Sequence, residues 1–320
     1  MWRENETRMT GFILVGLFPE FQHRGFLVSV VLLVYLAAFT ANAVLILLIW
    51  VDSRLHVPMY FLLSQLSLLD LALTSTTTPK IASDFFSGKR AISRVACGVQ
   101  MFLYLTVGIA ECLVLTLMSF DRYVAVCHPL RYPVLVSPGV CLLMVSGSWI
   151  GGTLSSLVLT VYAATLPVCG SREIRQYFCE LPSVVKLACK DTSAFEMAVS
   201  VSGIAFLLIP VSLIVASYVL IFLSVLRVDS REGRRKALTT CSSHLTVVTL
   251  YFGPGIFIYM TPGPSHSPDR NQGVSLFGTL LTPVLNPLIY SLRNREVSGA
   301  LTKVLGKCVV LRWSGKSFLQ

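Results

Sequence analysis

Charge is what this chain has least of. Only 13% of its 320 residues are Asp, Glu, Lys or Arg, 54% are hydrophobic, and the mean hydropathy is +0.72. A soluble domain of this size carries about 25% charged residues, so the deficit excludes an ordinary soluble enzyme and points to a membrane protein. The net charge of +10 does not imply a nucleic-acid partner. Its basic residues lie in short segments between apolar runs, where they act as topology and lipid-surface signals. The nine cysteines contain no CxxC spacing, which removes the usual structural zinc patterns. Residues 1–25 hold no apolar core followed by a small-residue cleavage site, so no signal peptide is expected and the first span serves as the insertion signal. Internal repeats and low-complexity tracts are also missing. An odd number of spans without an inverted repeat argues against a common transporter plan.

What is present is a series of long apolar runs. A membrane span needs about 20 apolar residues. Seven segments qualify: Phe26–Trp50, Pro58–Pro79, Cys97–Phe120, Val140–Leu166, Phe195–Leu226, Ala237–Thr261 and Gly273–Leu292. The expected fold is an all-α membrane protein with a seven-helix bundle over 26–292, an extracellular N-terminus over 1–25 and a cytoplasmic tail over 293–320. Pro210, Gly253 with Pro254, and Pro283 with Pro287 lie inside these runs. In a bundle, neighbouring helices and waters satisfy the backbone groups that such residues free. Orientation is weakly marked, because the inner and outer segments share Lys and Arg almost evenly, 14 against 12. Two local features favour an outer N-terminus. Arg227, Arg231, Arg234, Arg235 and Lys236 cluster between spans five and six, and Asn5-Glu6-Thr7 is an N-glycosylation sequon.

Spacing along the helices places polar groups at depth. Cys97 lies 25 residues before Arg122, roughly 37 Å at helical rise, so the two mark opposite faces. Asp70 is about 18 Å into span two, and Glu111 is about 16 Å from the same face in span three. Both carboxylates thus reach mid-membrane, with Asn42 and Asn286 in the inner half. Two carboxylates at that depth must be protonated, share a cation or bond to the amides. Asp121 and Arg122, adjacent at the end of an apolar helix, read as an ion pair at a water boundary. Cys97, Cys169, Cys179 and Cys189 face the outer compartment and allow three pairings into two disulfides, among which spacing alone does not choose. Cys112, Cys127, Cys141 and Cys241 read as small packing residues in or beside spans. Cys308 is a candidate for lipidation.

The string MSFDRYVAVCHPLRY, residues 118–132, is specific enough to add a family. It resembles the signature MAYDRYVAICxPLxY of the olfactory receptors, a branch of the rhodopsin-like G-protein-coupled receptors, and departs from it mildly at Ser119, Phe120 and Val126. LHVPMYFLLS with LSLLD (55–64 and 66–70), KALTTCSSHL (236–245) and PVLNPLIY (283–290) resemble further motifs of that family, so the likeness covers nearly the whole chain. Ala41 stands where the family has Gly, and Tyr251-Phe252-Gly253 stands where it has Phe-Tyr-Gly.

The resemblance implies an odorant receptor that couples to a stimulatory olfactory-type G protein and raises cAMP. Such a receptor is a multi-pass plasma-membrane protein bound by membrane lipid, with no cofactor, no enzyme activity and no nucleic-acid partner. It carries a short amphipathic cytoplasmic helix after span seven. Among the three pairings, the resemblance selects Cys97–Cys179 and leaves Cys169–Cys189. It implies a two-state latch of Asp121, Arg122, Tyr123, Tyr218, His244, Asn286, Pro287 and Tyr290 at the G-protein end. It also implies an internal polar site of Asn42, Asp70 and Glu111 suited to sodium. The outer pocket would be formed by Tyr104, Gly108, Ser202, Phe206, Phe252, Ile256, Tyr259 and Thr279. That set is uncharged, which suits a small neutral molecule, and the outer half of span three offers no carboxylate for an amine. Competing readings are a non-olfactory receptor of the same superfamily, a transporter or channel, and an intramembrane enzyme. Against the last, Ser243 and His244 are adjacent and point apart on a helix.

Overall fold

The computed structural model describes residues 11–189, 191–227, 230–260, 268–294 and 296–303. Seven long helices form the bundle. They are α1 (Arg24–Val51), α2 (Pro58–Ser87), α3 (Arg94–Cys127), α4 (Pro138–Thr165), α5 (Ser193–Leu226) and α6 (Arg231–Met260), followed by α7. The last is Pro268–Leu276 continued through a π turn, Phe277–Leu281, into Thr282–Arg293. A second π turn, Ile204–Leu208, interrupts α5. Residues 296–303 form α8.

Among the described residues, six of the seven helices are long and apolar enough to cross a membrane, α2 being the exception. At 30 residues it has the length, but it carries Ser67, Asp70, Thr74, Thr77 and Thr78, all buried. Its polar groups face the bundle, which lowers its hydropathy without exposing them to lipid. By contrast α4 turns Leu142, Leu143, Ile150, Leu154 and Val158 outward, the surface expected against hydrocarbon. At the centre α3 packs against α2, α4 and α5. It approaches α4 closely because Gly152 has no side chain; a Cβ there would lie 2.8 Å from the Thr106 carbonyl oxygen.

Local chemistry sets the helix ends. Ser93 and Ser137 accept from the Ala96 and Val140 N–H groups at 3.1 and 3.4 Å, and Pro58 and Pro138 occupy first-turn positions. Gly88 ends α2 with φ +67°. Several helices run past the expected span edges. Pro79 does not end α2, which continues to Ser87, and α3 carries Asp121 and Arg122 within its last turns.

The interior prolines show how a bundle tolerates them. Pro287 has no N–H for the carbonyl of Pro283, one turn earlier, and the Asn42 side-chain amide of α1 donates to that oxygen at 2.8 Å. Likewise Pro254 frees the carbonyl of Leu250, and the Thr282 hydroxyl of α7 donates to it at 3.3 Å. Pro254 of α6 and Pro287 of α7 are thus each tied to a neighbouring helix by the acceptor they leave open.

One end of the bundle carries a small sheet that sequence reasoning did not anticipate. β1 (Gly11–Leu14) lies between β2 (Ala91–Ser93), antiparallel, and β3 (Glu173–Ile174), parallel. Disulfides join Cys97 to Cys179 and Cys169 to Cys189 at this end, each with Cα atoms 5.4 Å apart. At the opposite end Asn294 accepts the Glu296 and Val297 N–H groups at 3.0 and 3.4 Å and starts α8. That helix buries Val297 and Ala300 and exposes Ser298 and Thr302, so it is amphipathic.

Candidate functional site

Between the sheet end and mid-bundle, α3, α5, α6 and α7 enclose a cavity of about 130 Å³. Its walls are mostly apolar: Leu105, Ile109, Leu207, Pro254 and Ile258 line it with aromatic Tyr104 and Phe206. Polar atoms are few, from Ser202, Ser275, Thr279, Tyr251 and Cys112. Part of the roof is Leu181, in the short helix Leu181–Val185 that follows the Cys97–Cys179 disulfide. The sequence-predicted Tyr104, Gly108, Ser202, Phe206 and Thr279 all line this space.

Two predicted residues do not. Phe252 is 3% exposed and packs in the core, and Ile256 packs against the same core. Tyr251 faces the cavity instead, because neighbouring helical positions are turned by about 100°. Its hydroxyl donates to the Gly108 carbonyl oxygen and lies 3.4 Å from the Cys112 sulfur. A phenol therefore does stand at the pocket floor, but its proton already ties α6 to α3. The side chain of Tyr259 lies outside the described residues, as do Asn5 and Cys308.

Midway down the bundle, Asn286 donates to both Asp70 oxygens at 3.1 Å, linking α7 to α2. Glu111 is fully buried, interacts electrostatically with Asp70, and has no hydrogen-bond partner on either oxygen. Asn42 serves the Pro283 and Ala38 carbonyls rather than either carboxylate. Among the described residues no three His, Cys, Asp or Glu side chains cluster to hold a metal; Asp70 and Glu111 are the carboxylates of this layer.

At the end opposite the sheet, Asp121 is 2% exposed and accepts the Tyr132 hydroxyl at 2.7 Å. It makes no contact ion pair with Arg122, which corrects the simplest reading of that dipeptide; adjacent helical residues diverge, and Asp121 turns inward. Arg122 instead acts electrostatically on Tyr218, His244 and Tyr290. Tyr218 bonds to His244 Nδ1 at 2.7 Å, whereas the buried Tyr290 hydroxyl has no partner. Tyr123 bonds to His128 at 3.1 Å and stays local. Arg122 of α3 is thus within electrostatic reach of residues on α5, α6 and α7.

The arrangement is an apolar pocket above a buried polar layer, with Arg122 at the far end. Comparison with known proteins supplies the family. A sequence profile described as olfactory receptor matches residues 31–308. The chain belongs to the olfactory receptor family. It is 51% identical over 302 residues to human olfactory receptor 2T11, spanning 94% of this chain and 96% of that one. Identity to human olfactory receptor 2AG2 is 50% over 310 residues, 97% and 98% of the two chains. Human olfactory receptor 2M2 is 49% identical over 304 residues, 95% of this chain and 88% of the relative. This olfactory receptor is accordingly a multi-pass membrane receptor and not an enzyme, which removes the intramembrane-enzyme and transporter readings.

Proposed function

We propose that this olfactory receptor binds a small, neutral, largely apolar volatile molecule in the α3–α5–α6–α7 cavity and signals through a stimulatory G protein that raises cAMP. The observation that carries this is the cavity itself, about 130 Å³, apolar on most of its wall and lined by no charged residue. Its few hydroxyls suit one carbonyl or hydroxyl on the ligand. In this reading the polar layer and Arg122 lie on the G-protein side, and α6 and α7, which carry Pro254 and Pro287, run from them to the pocket. A ligand that prefers one arrangement of α6 and α7 shifts the equilibrium between the two states. In this reading residues 1–25 are extracellular with a glycan on Asn5, residues 26–292 span the plasma membrane, and residues 293–320 are cytoplasmic.

The test is a cAMP readout in transfected cells against matched volatiles of one chain length: alcohols, aldehydes, ketones and the corresponding carboxylates. Neutral members should activate and the carboxylates should not. Activation confined to the carboxylates would overturn the reading.

A further inference from the structure

A second cleft opens outside the apolar cavity, between the chain that follows β3 and the outer parts of α6 and α7. It measures about 380 Å³, and its lining includes Gln176, Glu180, Ser183 and Lys186 with Ile258 of α6 and Asn271 of α7. Glu180 is 3% exposed and Gln176 is 2% exposed. Burial this complete is rare for a carboxylate in a connecting segment, and it is expensive unless the group is partnered. Gln176 donates through Nε2 to Glu180 Oε2 at 3.3 Å and to the Ser275 hydroxyl at 3.2 Å. The other oxygen of each side chain, Glu180 Oε1 and Gln176 Oε1, has no hydrogen-bond partner. Two residues that line one cleft therefore each hold a buried acceptor with unmet capacity.

We propose that this cleft is a second ligand site, which takes a protonated primary amine on Glu180 and Gln176. An ammonium supplies three donors and a positive charge, matching a carboxylate oxygen and an amide oxygen that both lack donors. Where α3 offers no carboxylate in its outer half, the segment after β3 provides one from above. The site is joined to the apolar cavity. Leu181, next to Glu180, and Ser275, bonded to Gln176, both line that cavity, and Ile258 borders both spaces. An amine bound outside would thus hold the roof of the inner pocket in place.

Protonation of Glu180 should compete with the amine. Burial raises its carboxyl to about 7, opposed by the Gln176 hydrogen bond and the Lys186 charge. The charged groups lining the cleft are Glu173, Arg175 and Lys186, while α6 and α7 contribute the uncharged Ile258 and Asn271; no histidine is among them. A carboxyl raised in this way is charged above its shifted value and neutral below it, so amine affinity is present at pH 8 and fades toward pH 6.

The experiment uses the full-length receptor in lipid nanodiscs, with n-hexylamine as probe and 1-hexanol as its neutral match, read by ligand-observed NMR titration. Binding is read directly, without signalling, so its outcome is separate from that of the odorant reading. Glu180→Gln should weaken hexylamine by about tenfold, the scale of a lost charge-assisted bond, and leave hexanol unchanged. Should that variant fail to yield folded receptor, the wild type decides: hexylamine affinity should fall about tenfold between pH 8 and pH 6 while hexanol stays constant. Hexylamine binding that ignores both Glu180→Gln and pH, or that tracks hexanol throughout, would overturn the proposal.

Discussion

Asn42→Ala isolates how the α7 proline is accommodated. Asn42 gives its amide protons to the Pro283 carbonyl at 2.8 Å and to the Ala38 carbonyl at 3.0 Å. Ala38 keeps the intrahelical N–H of residue 42 in the variant. Pro283 keeps nothing, because the residue that would serve it is Pro287. Interhelical hydrogen bonds in membrane proteins are worth about 0.6 kcal/mol on average and up to about 1.7. An orphaned buried acceptor costs about 1–3 kcal/mol. The two ranges overlap near 1.5 kcal/mol, about a tenfold change in the folding constant. Alanine also leaves a small void, so the single variant does not separate the two effects. Pro287→Ala does. It returns an N–H to the Pro283 carbonyl, and in that background the loss of Asn42 should cost mainly the void. The assay is denaturant unfolding of the wild type, both single variants and the double variant in mixed micelles. A coupling of about 1 kcal/mol is expected, the range seen for residues sharing one hydrogen-bond network. Equal costs for Asn42→Ala in both backgrounds would refute the reasoning.

Three further outcomes follow from the packing. Phe252→Tyr inserts a hydroxyl into the core, costs about 1–3 kcal/mol if it finds no partner, and should lower surface expression without altering ligand preference; Tyr251→Phe removes the pocket-floor hydroxyl and its tie to the Gly108 carbonyl, and at matched surface level should shift matched alcohol and ketone dose–response curves unequally. Cys97→Ser and Cys179→Ser should abolish surface receptor in live-cell staining, because losing a disulfide typically costs about 2–5 kcal/mol and this one closes an 82-residue separation, while Cys169→Ser, across 20 residues, should be milder. Arg122→Ala should cut cAMP output at matched surface level while leaving direct odorant binding intact, since the residue lies at the far end of α3 from Tyr104; full output would remove it from the switch.

Helix positions were legible because a span of about 20 apolar residues has no other reading, and the depth of Asp70 and Glu111 followed from helical rise alone. Rotation about the helix axis was not legible in the same way. Around Tyr251 and Phe252 the sequence carries no charge and only Thr246 and Thr249 as polar side chains, so no polar stripe told which aromatic faced the pocket. The continuation of α2 past Pro79 was hidden because proline reads as a helix end in sequence, whereas in the bundle the preceding turn is packed against α3, where Gln100 donates to the Thr76 carbonyl at 3.0 Å. The three-stranded sheet escaped notice because its strands have four, three and two residues, too short for a period to show. Asp121 looked like the partner of Arg122, whereas its true partner, Tyr132, returns to it through the turn beyond α3. Glu180 gave no signal at all, since a glutamate in a connecting segment is ordinarily solvated.

Filling the apolar cavity tests the account most directly. Gly108 lines it, and a Cβ there would sit 3.7 Å from the Tyr251 hydroxyl, so a leucine side chain must extend into the space a ligand would occupy. The measurement is the cAMP dose–response of Gly108→Leu and wild type to the strongest neutral volatile, at equal surface staining and equal response to direct adenylyl cyclase activation. The account predicts that the wild type responds and the variant does not. An unchanged half-maximal concentration in the variant would place the ligand elsewhere and contradict it.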